Sequence, residues 1–168
     1  TCLLRFDTTP GVNGPPKPLL NKSFRQAMAL AIDKKSIVDN LFSGHGTLAA
    51  QPWPSFAVGF NKDKQPYPFD KAKAQSLVKE SGYAGEQVEY TSTSGRYFKD
   101  LEVGEAIVQM FKDVGINAKF QPYEYSKWRE RLYSVKTDQD HPDIINVCTS
   151  NEYGDPSVFM RYVQTGGA

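Results

Sequence analysis

Arginine and tyrosine stand side by side at Arg96-Tyr97, a pair that can recognise polar groups on a small solute. The planar guanidinium of arginine can form two parallel hydrogen bonds to a carboxylate, and a tyrosine ring can stack while its hydroxyl donates a hydrogen bond. A second polar group, Asn151-Glu152-Tyr153, offers a carboxylate. A carboxylate that becomes buried strongly favours a cationic partner. For both groups the alternative is a solvated surface role.

Trp53 is a further candidate for a solute-binding residue, because it lies between Pro52 and Pro54 in a proline-rich stretch over residues 47–68. An indole in such a loop can form an aromatic wall of a cleft. It can equally anchor the long loop to the core, since aromatic burial dominates the energetics of such contacts. Both interpretations stay open at the level of sequence.

The residues that catalysis or metal binding would require are sparse. Glu152 and Asp155 can be considered as an acid and base pair for hydrolysis, but two carboxylates beside a helix start are commonly structural. The sequence has no Gly-x-Ser-x-Gly, His-Glu-x-x-His or phosphate-loop motif. Its two histidines, His45 and His141, are neither paired nor near a cysteine. We expect a binder without cofactor or metal, not an enzyme.

Length and charge limit the class of protein further. The chain has 168 residues, with 20 Lys and Arg against 19 Asp and Glu. This balance gives no field that would attract nucleic acid, so no nucleic-acid partner is expected. No apolar run approaches the roughly 18 residues of a membrane span. The first residues are too short and polar for a signal peptide, and we expect any targeting sequence to lie upstream.

The two cysteines, Cys2 and Cys148, form no Cys-x-x-Cys pair. Both lie in strand-like runs and can be neighbours in a sheet. In an oxidising compartment they can form a disulfide, whereas the alternative is two buried thiols.

Hydrophobic periodicity predicts alternating helices and strands. Helices are expected from Ser23, from Asp33 as a helix cap, from Asp70 as a cap to Ser81, over residues 99–114, from Ser126 as a cap, and from Asp155-Pro156. Trp128 lies on the apolar stripe of the helix that Ser126 would cap, and we expect it to be a core residue. Strands are expected over residues 87–91, 116–120 and 143–148. The strand–helix–strand–helix–strand order predicts an α/β fold with a parallel or mixed β-sheet flanked by helices, in a single domain over residues 1–168.

Ligands of such sheets collect at the carboxyl ends of the strands, near a switch in strand order. Two predicted loops fulfil this condition, residues 92–98 and 149–155. They contain Arg96-Tyr97 and Asn151-Glu152-Tyr153 respectively, which is why these residues are the leading candidates for a site.

Short motifs along nearly the whole chain resemble a known family when they are taken in order. They are Arg25-Gln26-Ala27, Ala31-Ile32-Asp33-Lys34, Gly44-His45-Gly46, Tyr67-Pro68-Phe69-Asp70, Ser81-Gly82-Tyr83, Gly95-Arg96-Tyr97, Val114-Gly115-Ile116 and Gly154-Asp155-Pro156. Each is common alone, but their fixed order resembles the family 5 solute-binding proteins of peptide and nickel ABC importers.

This resemblance implies a clamshell of two lobes with the type II periplasmic-binding-protein fold, in which the chain is similar to the second lobe. The other lobe would come from sequence before Thr1 and after Ala168. It implies a peptide or peptide-like solute, an ABC permease as partner, a monomer, and a periplasmic or extracellular location, by signal peptide or lipid anchor. In peptide binders, an acid at the position of Glu152 pairs with the α-amino group of the peptide.

The chain departs from the family pattern at Cys148-Thr149, where many members have Gly-Trp. That tryptophan contributes to the pocket of peptide binders, so the identity of the solute stays open among peptides, opines, sugars and metal chelates. The alternative function is a stand-alone interaction or regulatory module built on such a lobe.

Overall fold

The computed structural model describes residues 2–8, 18–133 and 143–148. Four strands form one sheet: β1 (Cys2–Phe6), β2 (Val88–Thr93), β3 (Ala118–Tyr123) and β4 (Ile144–Cys148). Five α-helices accompany them: α1 (Lys22–Ala31), α2 (Lys34–Leu41), α3 (Lys71–Glu80), α4 (Asp100–Asp113) and α5 (Tyr125–Tyr133). A short 3-10 helix, Pro18–Leu20, precedes α1. The predicted helix at Asp155-Pro156 lies outside the described residues.

The sheet is mixed, with the order β1-β4-β2-β3. The central strand β2 is parallel to β3 on one side and to β4 on the other. The edge strand β1 is antiparallel to β4. The predicted class, an α/β fold with a mixed sheet flanked by helices, is confirmed.

Helices cover both faces of this sheet. Successive residues of a strand point to opposite faces, and in β4 Ile144 joins the core under α1, α3 and α4, while Ile145 and Val147 join Trp128 and Leu132 of α5. The larger core therefore lies on one face and the α5 core on the other. Trp128 was predicted to be a core residue, and it is buried.

Side chains predicted to cap helices do so at α2 and α3. Asp33 accepts from the Ser36 amide at 2.9 Å, and Asp70 accepts from the Lys73 amide at 2.9 Å. At α1 the cap is Asn21, whose side-chain oxygen accepts from the Ser23 amide at 2.8 Å. These bonds satisfy amides that lack partners inside the helix.

The predicted cap of α5 is wrong. The helix begins at Tyr125, one residue before Ser126. The carboxylate of Glu124 accepts from the Ser126 amide at 3.0 Å and from the Ser126 hydroxyl. Glutamate therefore performs the capping, and the serine is its partner inside the first turn. Serine is a commoner helix cap than glutamate, so the sequence pattern favours Ser126 over Glu124.

Helix α4 approaches β3 closely at Gly104. A β-carbon built on Gly104 would lie 2.1, 2.4 and 2.8 Å from ring atoms of Phe120. Phe120 is held in turn by stacking on the buried Tyr90, with ring centroids 5.6 Å apart. Glycine at this position lets the helix that follows the candidate site lie directly on the sheet.

We predict that Gly104→Ala destabilises the fold by about 1–3 kcal/mol, because the overlap with a rigid ring outweighs the better helix propensity of alanine. Chemical denaturation followed by circular dichroism measures it. Glu105→Ala at an exposed neighbouring position is the matched control, and Phe120→Leu in the Gly104→Ala background should recover part of the loss. A more stable Gly104→Ala variant would contradict the close packing.

Candidate functional site

The carboxyl ends of three parallel strands meet at one edge of the sheet. β2, β3 and β4 end there at Thr93, Tyr123 and Cys148. Because β3 and β4 lie on opposite sides of β2, the strand order switches at this edge. Such switch points are where open α/β sheets bind ligands.

The loop that leaves β2, residues 94–99, is fixed by its own backbone geometry and by one carboxylate. The Ser94 amide donates to the Tyr123 carbonyl at 2.8 Å, which ties the loop to β3. Gly95 has φ +75° and Lys99 has φ +62°. A lysine in the left-handed region is uncommon, and such residues cluster at functional sites.

The carboxylate is that of Asp100, the first residue of α4, which is 7% exposed. It accepts hydrogen bonds from three consecutive loop amides, Gly95 at 3.0 Å, Arg96 at 2.9 Å and Tyr97 at 3.1 Å. A fourth comes from the Thr93 hydroxyl at 2.9 Å. The side chain thus holds the end of β2 and the loop together.

Burial by itself would raise the pKa of Asp100, but these hydrogen bonds outweigh it and lower the pKa below its ordinary value. Hydrogen bonds to the charged form favour that form. A lowered folded-state pKa means that the carboxylate stabilises the folded protein above its unfolded pKa, and that this contribution is lost as the pH falls through the lowered value.

Arg96 is exposed, and its guanidinium lies over two tyrosine rings. Its central carbon is 4.5 Å from the centroid of Tyr125 and 5.7 Å from that of Tyr97. Tyr125 stacks in turn on the buried Trp128, with centroids 5.9 Å apart. A cation–π contact uses no N–H hydrogen bond to an acceptor atom, so a guanidinium held in this way can still donate to a solute. Among the described residues, no acid forms a salt bridge with it.

Tyr97 is half-buried, and its hydroxyl donates to the Cys148 carbonyl at 3.4 Å. The contact joins the loop after β2 to the end of β4. The Tyr97 side chain therefore links the ends of β2 and β4, the two strands after which the site loops were predicted.

Cys2 and Cys148 form a disulfide. They are directly paired residues of β1 and β4, so the disulfide crosslinks these two strands at the same edge of the sheet as the candidate site. The pairing that the sequence left open is present, and it anchors the last residue of β4, after which the second predicted loop begins.

The sequence-predicted site residues fall into three groups. Arg96 and Tyr97 lie together at the strand edge. Trp53 is partly buried in the long loop over residues 47–68, its indole nitrogen is buried, and no ring contact joins it to Arg96 or Tyr97 in the described part of the chain. Asn151, Glu152 and Tyr153 lie outside the described residues, so their roles stay predictions.

Sequence reasoning missed Asp100 and Tyr125. The only sequence signal for Asp100 is an acid in the first turn of a helix, which usually indicates a favourable interaction with the helix dipole. Tyr125 lies in the first turn of α5, and no motif in the sequence links it to Arg96. Neither contact with the Arg96 loop can be read from local spacing.

No group of three or more His, Cys, Asp and Glu side chains suited to a metal ion occurs within residues 2–8, 18–133 and 143–148. In the same ranges, no helix has the length and apolarity of a membrane span.

The sequence of residues 1–168 matches the family described as bacterial extracellular solute-binding proteins, family 5, middle region. The chain belongs to this family. Proteins of family 5 are periplasmic or extracellular. The resemblance found in the short motifs is thus confirmed over the full chain.

Relatives of this family 5 chain are binding proteins rather than enzymes. It is 31% identical over 148 residues to the dipeptide-binding protein of Escherichia coli, covering 86% of this chain and 27% of that protein. It is 30% identical over 118 residues to heme-binding protein A of Haemophilus influenzae, covering 68% and 22%. The chain therefore spans about a quarter of the length of these relatives.

Solved structures share the fold. NikA from Brucella suis in complex with Fe(III)-EDTA has a TM-score of 0.78 at 20% identity, over 99% of this chain and 34% of NikA. The murein tripeptide-binding protein MppA of Escherichia coli has a TM-score of 0.76 at 18% identity, over 99% and 32%. The predicted periplasmic-binding-protein fold is confirmed.

We predict that replacing both Cys2 and Cys148 by alanine lowers the free energy of unfolding by about 3–5 kcal/mol, because the bond closes a loop spanning 146 residues of sequence separation. Chemical denaturation with and without dithiothreitol measures this. The reductant should destabilise the wild type and leave the double variant unchanged. Two alkylatable thiols in the unreduced wild-type protein would contradict the disulfide.

Proposed function

We propose that this chain is the second lobe of a two-lobed substrate-binding protein of an ABC importer, and that it captures a peptide or another solute that carries a carboxylate. The observation that supports this most strongly is Arg96. Its guanidinium is exposed at the switch-point edge, is held against Tyr125 at 4.5 Å, and has no acidic partner among the described residues. A pre-positioned cation with open donors suits an anionic group of a solute.

The solutes named for similar proteins support a carboxylate as the shared feature. They include dipeptides, heme, glutathione, the Fe(III)-EDTA complex and the nickel complex of L-histidine. These molecules differ in size, charge and metal content, but each carries at least one carboxylate. An arginine that binds this group can serve any of them, and the remainder of the cleft then selects among them.

In this proposal the second half of the site comes from the other lobe. Closure of the two lobes buries the solute, and the closed form docks on the membrane permease. Glu152 pairs with the α-amino group of a peptide, and Asn151, Tyr153 and Trp53 line the same cleft. The protein acts as a monomeric binder without cofactor or turnover, outside the cytoplasm, either free after export or held by a lipid anchor.

We predict that Arg96→Gln in the complete protein weakens solute binding about 10- to 100-fold, since a hydrogen bond between charged groups contributes roughly 1.5–3 kcal/mol. Isothermal titration with a dipeptide, glutathione, heme and the nickel–histidine complex identifies the solute and measures the change. Arg96→Lys should recover only part of the affinity, because an ammonium cannot form the two parallel bonds.

The matched control is Lys112→Gln, which removes one exposed positive charge near the far end of α4, 12 residues from its start. Its affinity should equal that of the wild type. Binding that is unaffected by Arg96→Gln would contradict the assignment of Arg96. A wild-type protein that binds none of the four probes and co-purifies with no carboxylate-bearing molecule would contradict the solute-binding proposal.

A further inference from the structure

Asp100 is the first residue of α4, but its carboxylate accepts hydrogen bonds from the preceding loop. An acid there ordinarily interacts with the amides of its own helix or with the helix dipole. Here the residue that precedes α4, Lys99, makes no side-chain capping bond. The carboxylate of Asp100 instead folds back over the preceding loop and accepts from the amides of Gly95, Arg96 and Tyr97.

These hydrogen bonds leave the loop little freedom. The amides of Arg96 and Tyr97 and the Thr93 hydroxyl donate to Oδ2 of Asp100, and the Gly95 amide donates to Oδ1. Three consecutive amides that converge on one buried group fix the backbone of residues 95–97. The carboxylate is also joined to rigid elements on both sides, to the end of β2 through Thr93 and to α4 through its own backbone.

The direction of the two candidate side chains follows from this backbone. With residues 95–97 fixed, the Arg96 guanidinium reaches the ring of Tyr125 at 4.5 Å, and the Tyr97 hydroxyl reaches the Cys148 carbonyl at 3.4 Å. Neither of these contacts can hold the loop alone, because one is a solvent-exposed cation–π contact, which is weak, and the other is a long hydrogen bond.

We propose that Asp100 is the positioning residue of the solute site: it does not touch the solute, but its buried carboxylate sets the backbone that aims Arg96. This inference rests on the proposed function, since it assigns to Asp100 a part of the affinity for a carboxylate-bearing solute. It identifies a residue whose effect on binding is transmitted through another side chain.

Asparagine is the discriminating substitution. It keeps the size and shape of aspartate, but it replaces one acceptor oxygen with an N–H₂ group that faces backbone N–H donors. At least one of the three loop amides then loses its acceptor, and an unsatisfied buried donor is costly. The loop is expected to leave its fixed conformation while the two hydrophobic cores stay unchanged.

The test is a double-mutant cycle in the complete protein, with the probe among dipeptide, glutathione, heme and nickel–histidine complex that binds the wild type most tightly. Asp100→Asn should weaken binding about tenfold or more, at a temperature at which the variant is folded. In the Arg96→Gln background, Asp100→Asn should change the solute affinity by less than about twofold, because the guanidinium that Asp100 positions is absent. A residue that only stabilises the fold would not show this dependence on Arg96.

Two further variants serve as a matched control and as a substitute for Asp100→Asn. Asp113→Asn removes an exposed carboxylate with a lowered pKa at the opposite end of α4, where it pairs with Lys71 and Gln109, and it should leave affinity unchanged. If Asp100→Asn does not fold, Thr93→Val removes only the hydroxyl donor at 2.9 Å and should weaken binding by a smaller factor. A wild-type affinity for the folded Asp100→Asn or Thr93→Val variant would overturn the proposal.

The rate of trypsin cleavage in the loop can be measured without solute, so it tests the positioning role of Asp100 independently of the proposed function. Trypsin cleaves after Arg96 only when the loop opens, so cleavage at this bond, identified by mass spectrometry, should be slow in the wild type and at least about tenfold faster in Asp100→Asn. Equal rates would overturn the positioning role whether or not any probe binds. Faster cleavage in a protein that binds none of the probes and co-purifies with no carboxylate-bearing molecule would contradict the proposed function and leave Asp100 as the group that fixes the loop.

Discussion

The parallel pairing of β2 with strands on both sides is the constraint on which the rest of the structure depends. Because β3 and β4 run in the same direction as β2, three strand ends are brought to one edge, and the loops that leave them are forced together. The antiparallel β1 adds Cys2 to that edge, where the disulfide fixes the last residue of β4. The close approach of α4 at Gly104, and the packing of Trp128 and Leu132 of α5 against Ile145 and Val147 of β4, then place these two helices on the sheet.

A small number of polar contacts organises the candidate site at this edge. Asp100 links the end of β2 to the loop, and Tyr97 links the loop to β4. Tyr125, supported by the buried Trp128, provides the surface on which Arg96 lies. The exposed cation therefore rests on a chain of contacts that begins in the hydrophobic core, which suits a group that must be in place before a solute arrives.

Most of the fold could be predicted from the sequence, because its signals are local. The apolar positions at helical spacing, the capping residues Asp33 and Asp70, and the strand–helix order all depend on residues a few positions apart. The edge at which the candidate site lies could be predicted as well, because the loops that leave parallel strands meet at their carboxyl ends. The place of β4 beside β2, which creates the switch in strand order, could not be read from the element order.

What could not be predicted depends on contacts between distant parts of the chain or on a choice between equal local options. The disulfide required β1 to be placed beside β4, which no spacing indicates. Glu124 and Ser126 are both able to cap α5, and only the position of the helix start decides between them. Asp100 looks like an ordinary first-turn acid until the path of the preceding loop is known.

Arg96, held at the switch-point edge, is the residue that we propose to bind the carboxylate of a solute. The most direct measurement is mass spectrometry, under denaturing conditions, of the small molecules released by the complete protein after native purification, for the wild type and for Arg96→Gln in parallel. We expect the wild type to release a carboxylate-bearing molecule and the variant to be strongly depleted of it. A molecule retained equally by both, or one without a carboxylate, would contradict this proposal.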